Sequence, residues 1–141
     1  MNNNVSNRNK VRITQKEREF LLENEVCRVA TCHNNIPHVV PVTYIYNKGT
    51  IAFATDYETR KYKNLEVNKN VSVVVDVYDP SGENKAIVLR GKAVIIEKGV
   101  EFKRLYKIFD TRFEWVRKDP WKEGEAPFIR VNVFNKISWG L

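Results

Sequence analysis

The stretch VCRVATCHNNIPHVVPVTYIYNKGTIAFAT, residues 26–55, indicates the fold class because its apolar residues recur with the two-residue period of β-strands. It is rich in Val, Ile, Tyr and Phe, which strands favour. Strand-like segments lie at 26–32, 37–46 and 50–55. The breaks between them carry Asn, Pro and Gly, which are typical of tight turns. The stretch therefore predicts a meander of antiparallel hairpins.

The rest of the chain adds strands and a few helices. Further strand-like segments lie at 71–77, 85–96 and 127–135. Helices are predicted from Thr14, where Thr14 and Glu17 fit a capping box, and at about 59–68 and 100–117. We expect a mainly β protein, a six-stranded antiparallel split β-barrel with flanking helices, since closure removes exposed strand edges. Residues 1–12 predict a mobile leader, and residues 13–141 a single domain.

Composition places the chain among ordinary globular proteins. Its 141 residues include 24 Lys plus Arg and 17 Asp plus Glu, which gives a net charge of +7 and favours anionic partners. Residues 1–7 lack the apolar core of a signal peptide, and the apolar run at 71–77 is too short to cross a bilayer. Cys27 and Cys32 face opposite sides of one predicted strand, so they cannot pair there. We expect a cytoplasmic protein with no membrane partner.

Residues 55–65, TDYETRKYKNL, carry the clearest chemical signal. A strand ends at Thr55, and Thr59 is a credible helix N-cap, which places Arg60 and Lys61 in the first helical turn. Two cations there are unfavourable because the N-terminus of a helix already carries partial positive charge. A bound phosphate would satisfy the cations, the hydroxyls and the helix dipole together. The alternative is that both side chains extend into solvent.

Two further features have both structural and functional interpretations. Pro41 lies within a strand-like run, and proline belongs at a sheet edge, a strand start or a bulge. A disrupted ladder there could leave backbone groups free for a heterocyclic ligand, and a plain bulge is the alternative. Trp139, near the C-terminus, could pack on the core, close a dimer or lie beside an aromatic cofactor, and Trp121 has similar alternatives.

Other chemistries receive little support. Four potential metal ligands are near one another in sequence, but the cysteines face opposite ways, and we predict no metal site. They are Cys27, Cys32, His33 and His38. No nucleophile elbow, dinucleotide fingerprint or Walker loop is present. Nucleic-acid binding would need exposed aromatic residues, whereas Phe53, Phe128 and Phe134 lie in alternating apolar runs that predict a core. We expect no nucleic-acid partner.

The order and spacing of several motifs resemble the pyridoxamine 5′-phosphate oxidase-like family of FMN-binding split barrels. The likeness covers roughly residues 15–139. No single motif identifies the family, but their order and spacing together are specific. The motifs are Arg28-Val29-Ala30-Thr31, Ile36 to Val42, Ile51 to Thr55, Thr59-Arg60-Lys61 with Asn64-Leu65, Asn70 to Val73, Arg90 to Ala93, and Ile137-Ser138-Trp139.

The resemblance implies a homodimer with FMN at the subunit interface and a small-molecule substrate. Arg60 and Lys61 match the pair that holds the FMN phosphate in the family, with Thr59 at the start of the same motif. Val42, Thr43 and Tyr44 match its ring-contacting strand, and Thr55 matches its strand-end hydroxyl. Trp139 would lie near the cofactor, of either subunit. The protein would then orient a flavin that exchanges a hydride.

Departures from the family pattern bear on the reaction. The chain has Tyr44 where the oxidase has a lysine for the substrate phosphate, and Ala86 where the oxidase has a cofactor-contacting glutamine. Vitamin B6 oxidation is therefore not the expected activity. We expect a flavin-dependent oxidoreductase, with the deazaflavin F420 as the alternative cofactor and a non-catalytic flavin-binding module as the alternative function. The sequence names no catalytic residue.

Overall fold

The structure, a computed structural model, describes residues 11–141. Most of the leader predicted at 1–12 lies outside that range, and the division into leader and domain stays a prediction. The elements, in chain order, are α1 (Gln15–Glu23), β1 (Val26–His33), β2 (Ile36–Thr43), β3 (Ile45–Asn47), β4 (Thr50–Ala54), α2 (Arg60–Val67), β5 (Asn70–Val77), β6 (Lys85–Ile96), α3 (Gly99–Arg112), α4 (Glu114–Lys118) and β7 (Phe128–Trp139).

The strands form one antiparallel sheet in the order β2-β1-β5-β6-β7-β4-β3. The two edge strands, β2 and β3, are consecutive in the chain and are separated only by Tyr44. A sheet whose edges are joined by one residue must curl until those edges meet at one end. The curled sheet is therefore a barrel with an open seam. The prediction of a mainly β split barrel is confirmed.

The strand count differs from the prediction because the segment at 37–46 is two strands. β2 pairs with β1, whereas β3 pairs with β4, and the change of partner occurs at Tyr44. The Tyr44 ring is buried, and its hydroxyl donates to the Leu21 carbonyl at 2.5 Å. The side chain that appeared to continue one strand therefore anchors the junction between two. The sheet has seven strands instead of six.

Pro41 lies in an unbroken register opposite Arg28, on an edge strand of the sheet. Of the three positions expected for this proline, the structure shows the edge, and no bulge disrupts the β1–β2 ladder. The register shift of the sheet lies instead between Arg90 and Gly91, where β7 carries Phe134 as an extra residue. A Cβ on Gly91 would stand 2.3 Å from the Asn132 carbonyl oxygen, so this close approach requires glycine.

Two helical predictions differ in outcome. The capping box is present, since the Glu17 amide donates to the Thr14 hydroxyl at 3.2 Å and the Thr14 amide donates to the Glu17 carboxylate at 2.8 Å. The single helix predicted at 100–117 is wrong, because Phe113 adopts an extended conformation and buries its ring against Phe109. The chain forms α3 and α4 on either side of it.

The interior has two parts. The larger core packs the inner face of the sheet against α1 and α2. The smaller core is rich in phenylalanine, lies between α3, α4 and strands β3, β4, β6 and β7, and is centred on Phe109 and Phe128. Within the described residues, no helix is both long and apolar enough to cross a bilayer.

Candidate functional site

The N-terminus of α2 is an uncompensated positive end. Thr59 is the N-cap, and its hydroxyl oxygen accepts the Tyr62 amide at 3.2 Å. The amides of Arg60 and Lys61 have no hydrogen-bond partner among residues 11–141, and the first turn contains no acidic residue. Free amides at a helix N-terminus attract anions because they carry part of the helix dipole.

Lys61 adds a buried positive charge at the same place. The residue is only 8% exposed, and its Nζ lies over the Phe53 ring at 5.9 Å from the centroid. Burial lowers the pKa of Lys61, an effect that the negative charge of Asp56 opposes. No carboxylate in the described part of the chain forms an ion pair with this ammonium group. A buried lysine without a partner is costly, and a bound anion would relieve that cost.

Thr55 contributes a hydroxyl group to the site from the end of β4. It follows β4 directly, it is buried, and its hydroxyl oxygen lies 3.0 Å from that of Thr59. The Thr55 amide donates to the Pro127 carbonyl at 3.1 Å, which ties the end of β4 to the segment before β7. The two hydroxyls and the first turn of α2 therefore share one small region.

These groups line a cleft of about 390 Å³, within the size range of small-molecule sites. One wall comes from the β4–α2 connection and α2, and the other from α4 and the α4–β7 connection. The lining residues are Ala54, Thr55, Asp56, Thr59, Lys61, Trp115, Asp119, Pro120, Trp121, Glu125 and Ala126. Three of the predicted cofactor residues, Thr55, Thr59 and Lys61, thus meet in one cleft. Arg60 is exposed and does not line it.

The predicted ring-contacting segment 42–44 does not present its side chains together. Val42 is partly buried against the larger core, opposite Cys27, while Thr43 lies on the other face of the strand. Burial raises the pKa of the Cys27 thiol to about 12, and the nearby Lys61 charge opposes that rise. The connection of Val42 to the site is therefore indirect: its partner across the strands, Cys27, lies near the Lys61 charge. The Tyr44 side chain is enclosed in the core and its amide donates to the Glu25 carbonyl at 2.9 Å, so this residue could offer a ligand only its carbonyl group.

Trp139 is remote from the cleft of its own chain. It ends β7 opposite Ala86 and is 50% exposed. Phe128, which begins the same strand near Thr55, is eleven residues away, a strand length of about 36 Å. A role for Trp139 beside a ligand in this cleft would therefore require a second subunit.

Sequence reasoning missed most of the opposite wall. The sequence pattern does not identify Trp115, Asp119 or Glu125, and for Trp121 it leaves core packing, a dimer contact and a cofactor contact as alternatives. These residues follow a helix that breaks unexpectedly at Phe113, so their positions depend on long-range packing. Their one local signal is the proximity of two tryptophans in a short segment. Between Val11 and Leu141 no group of three or more His, Cys, Asp or Glu side chains is placed to hold a metal ion.

Solved structures share this fold at low sequence identity. HutZ, the heme storage protein from Vibrio cholerae, is 18% identical, covers 90% of this chain and 94% of its own, and has a TM-score of 0.76. An FAD-binding protein from Mesorhizobium loti is 21% identical, with coverages of 89% and 92% and a TM-score of 0.71. The FAD-binding protein from Mycobacterium smegmatis is 17% identical, with coverages of 89% and 92% and a TM-score of 0.66.

A family model assigns the chain more directly than these fold similarities. Curated protein sequences give no significant match. The family model described as pyridoxamine 5′-phosphate oxidase, in contrast, matches residues 13–134. That range includes every element from α1 to α4 and most of β7, together with the whole cleft. The chain belongs to the pyridoxamine 5′-phosphate oxidase family.

Proposed function

We propose that this protein binds a phosphorylated flavin, with FMN as the simplest such cofactor, and acts as a flavin-dependent oxidoreductase on a small molecule. The observation that carries the proposal is Lys61, whose buried ammonium group has no carboxylate partner in the described chain and whose amide, like that of Arg60, is free. A phosphate group fits these donors because it carries negative charge and several acceptor oxygens. Membership of the family and the FAD-binding descriptions of two structural relatives support a flavin as the molecule that carries this phosphate group.

The roles of the protein groups follow from their positions. Lys61 would neutralise the phosphate, and the amides of Arg60 and Lys61 with the hydroxyls of Thr55 and Thr59 would fix its orientation. Arg60, which is exposed, would contribute a weaker and more screened attraction. When bound, the flavin supplies hydride exchange at N5. We assign binding and orientation of the cofactor to these residues, and the cleft lining contains no histidine or cysteine.

Two alternatives share the same phosphate contacts. F420 also carries a phosphate, and the donors of α2 do not distinguish it from FMN. A binding role without turnover is favoured by the likeness to HutZ, which is described as a heme storage protein. Rapid mixing of the loaded protein with NAD(P)H or reduced F420 separates these functions, because a storage module would leave the flavin oxidised with every donor.

The test of the proposal is flavin binding by the Lys61→Met variant. We expect purified wild-type protein to bind FMN with flavin absorption bands, and Lys61→Met to bind it about 10- to 100-fold more weakly, the cost of one charge-assisted contact. The matched control is Lys63→Met, an exposed lysine on the same helix, which should bind FMN as the wild type does. Equal FMN affinity in wild type and Lys61→Met would overturn the phosphate assignment, and wild-type protein that binds neither FMN nor F420 would overturn the function.

We also propose that the chain is a homodimer. The outer face of the sheet carries exposed apolar side chains on non-adjacent strands, including Val39 on β2 and Phe134, Ile137 and Trp139 on β7. An apolar groove of about 290 Å³ crosses this face between Pro37 and Phe134. A contiguous exposed apolar patch is a feature of interaction sites. A second copy of the chain, packed on this face, would cover it and would offer Trp139 to a neighbouring site.

A further inference from the structure

A second cavity lies where the segment before α1, α1 itself, the β3–β4 turn and β7 meet. Its volume is about 1050 Å³, at the upper end of the range for small-molecule sites. Among the described residues, none lines both this cavity and the cleft that contains Lys61. We refer to it as the α1 cavity, and its lining is independent of the proposed flavin site.

The cationic side chains of the α1 cavity come from three different parts of the chain. Arg12 precedes α1, Arg18 lies on α1, and Lys48 lies in the β3–β4 turn. No described residue that lines the cavity is acidic, and none of the three cations forms an ion pair within residues 11–141. Like charges that meet without a carboxylate repel one another, and a bound anion offsets that repulsion. The arrangement therefore favours a ligand with more than one negative charge.

Two lining residues supply further evidence for a polar ligand. Lys48 has a φ of 50° and is followed by Gly49 at 83°, the left-handed pair of a two-residue hairpin turn. Such turns favour Asn, Asp or Gly at the first position, so the turn does not account for the lysine. The Oδ1 atom of Asn132 accepts from Arg130 Nε at 3.1 Å, and the Asn132 amide nitrogen has no partner among the described residues. This amide and the Lys48 ammonium group can both donate to the oxygen atoms of an anion.

The rest of the lining is largely apolar. Ile13, Tyr46 and Val133 line the α1 cavity and pack against the larger core, which fixes their positions. Leu22 of α1 also lines the cavity and is 42% exposed. Apolar surface of this kind is stabilised when a ligand removes it from water. An inorganic anion alone would leave it uncovered, whereas an anion with an apolar body would not.

We propose that the α1 cavity binds an organic dianion, a small molecule in which a phosphate group or two carboxylates are attached to an apolar body. Arg12, Arg18 and Lys48 neutralise the anionic group, and the planar guanidinium groups bind its oxygen atoms in pairs. The apolar side chains of the lining contact the body of the ligand. This inference goes beyond the proposed function, because it assigns a second ligand to residues that the flavin does not use.

The experiment titrates the protein with 1-naphthyl phosphate by fluorescence and with phthalate, an aromatic dicarboxylate, by calorimetry. We expect saturable binding of at least one probe. The double variant Arg18→Gln with Lys48→Gln should bind it at least about tenfold more weakly, because two charge-assisted contacts are lost. Both side chains are exposed and form no ion pair in the described chain, so their replacement leaves the core intact. The control is Lys63→Gln with Lys107→Gln, two exposed lysines outside the cavity, which removes the same charge and should keep the affinity within about twofold.

Inorganic phosphate tests the apolar part of the lining. It carries the charge of 1-naphthyl phosphate without the ring system, and it should bind at least about tenfold more weakly. Equal affinities for these two anions would contradict the proposed apolar body.

The outcomes separate this inference from the proposed function. The inference is overturned if neither probe shows saturable binding up to about 1 mM, or if wild type and the Arg18 and Lys48 double variant bind the probes equally. Binding of 1-naphthyl phosphate that is lost in Lys61→Met but kept in the double variant would place the probe in the cleft and would also overturn it. The FMN affinity of the double variant should match that of wild type, and a dependence of FMN on Arg18 and Lys48 would contradict two separate sites. Failure of FMN to bind, with probe binding intact, would overturn the proposed function alone.

Discussion

At the scale of single residues, Lys61 combines a cost to stability with a role in binding. Burial removes its ammonium group from water, and no carboxylate in the described chain pairs with it. Proteins retain such a charge where binding requires it, because folding alone would favour an apolar side chain. The ligand-free protein is therefore strained electrostatically at the point where we propose that the phosphate binds.

This strain predicts that Lys61→Met stabilises the ligand-free protein by about 1–2 kcal/mol, because methionine keeps the packing against Phe53 without the buried charge. Denaturant unfolding of both proteins without flavin measures the difference. Since burial lowers the pKa of Lys61 from its usual 10.5, the penalty is complete below the lowered pKa and disappears above 10.5. The stability gap should therefore narrow as the pH rises toward 10.5, and a Lys61→Met variant less stable than wild type at neutral pH would contradict this account.

The residue-scale features differ in how far sequence could predict them. Thr59 as N-cap and the unfavourable cations after it are local patterns, and the cap is present as predicted. Lys61 is buried where its ammonium group lies over the Phe53 ring of β4, whereas Arg60 is exposed. No local pattern in the Thr-Arg-Lys run distinguishes the lysine that is buried from the arginine that is exposed.

At the scale of elements, α1 is attached to the sheet through its own cap. Glu17 completes the capping box with Thr14 and also forms an ion pair with Lys136 of β7. Burial tends to raise the pKa of Glu17, but hydrogen bonds from Lys136, Thr14 and Ser138 outweigh it and lower the pKa from 4.5. The lowered pKa means that the ionised carboxylate stabilises the folded state.

We therefore predict that Glu17→Gln lowers the free energy of unfolding by about 2 kcal/mol at neutral pH, since the amide can cap the helix but cannot neutralise Lys136. The contribution of the carboxylate is complete above pH 4.5 and is lost as the pH falls through the lowered pKa. The difference between wild type and variant should accordingly shrink below pH 4.5 in acid-unfolding curves. Glu19→Gln, an exposed position on the same helix, is the control, and a pH-independent difference for Glu17→Gln would argue against the ion pair.

Element boundaries were predictable where periodicity or capping decided them and not where tertiary packing did. The buried stripe of Phe102, Leu105, Phe109, Phe113 and Val116 was recognised from its spacing, and all five are buried. The break of the helix at Phe113 is not predictable from the sequence, because no glycine or proline marks it. Likewise, the apolar run at 37–46 is strand-like throughout, and only the burial of Tyr44 beneath α1 divides it.

At the scale of the whole molecule, the sheet has an inner face with the core and an outer face with exposed apolar residues. On the outer face Val74 lies opposite Val88, which lies opposite Ile137, and Arg28 pairs with Asp76 nearby. Such a mixed surface, mainly apolar with a few satisfied charges, resembles an interface between subunits more than a solvated face.

The proposed homodimer predicts that Ile137→Asp converts the protein to a monomer, because a carboxylate in the centre of an apolar interface would be desolvated without a partner. Sedimentation analysis should show a dimer for wild type and a monomer for the variant. Val100→Asp, an exposed apolar residue at the start of α3 and outside this face, is the control. A wild-type protein that sediments as a monomer at micromolar concentration would contradict the proposal.

The junction at Tyr44 has a mechanical consequence for the barrel. Thr43 ends one edge strand of the sheet and Ile45 begins the other, so no flexible linker separates the two edge strands. The Tyr44 hydroxyl ties this point to the end of α1, which gives the bend a fixed pivot. Loss of pairing at one edge strand near Tyr44 would therefore displace the other edge strand as well. The seam can widen only at the ends of β2 and β3 that are remote from Tyr44.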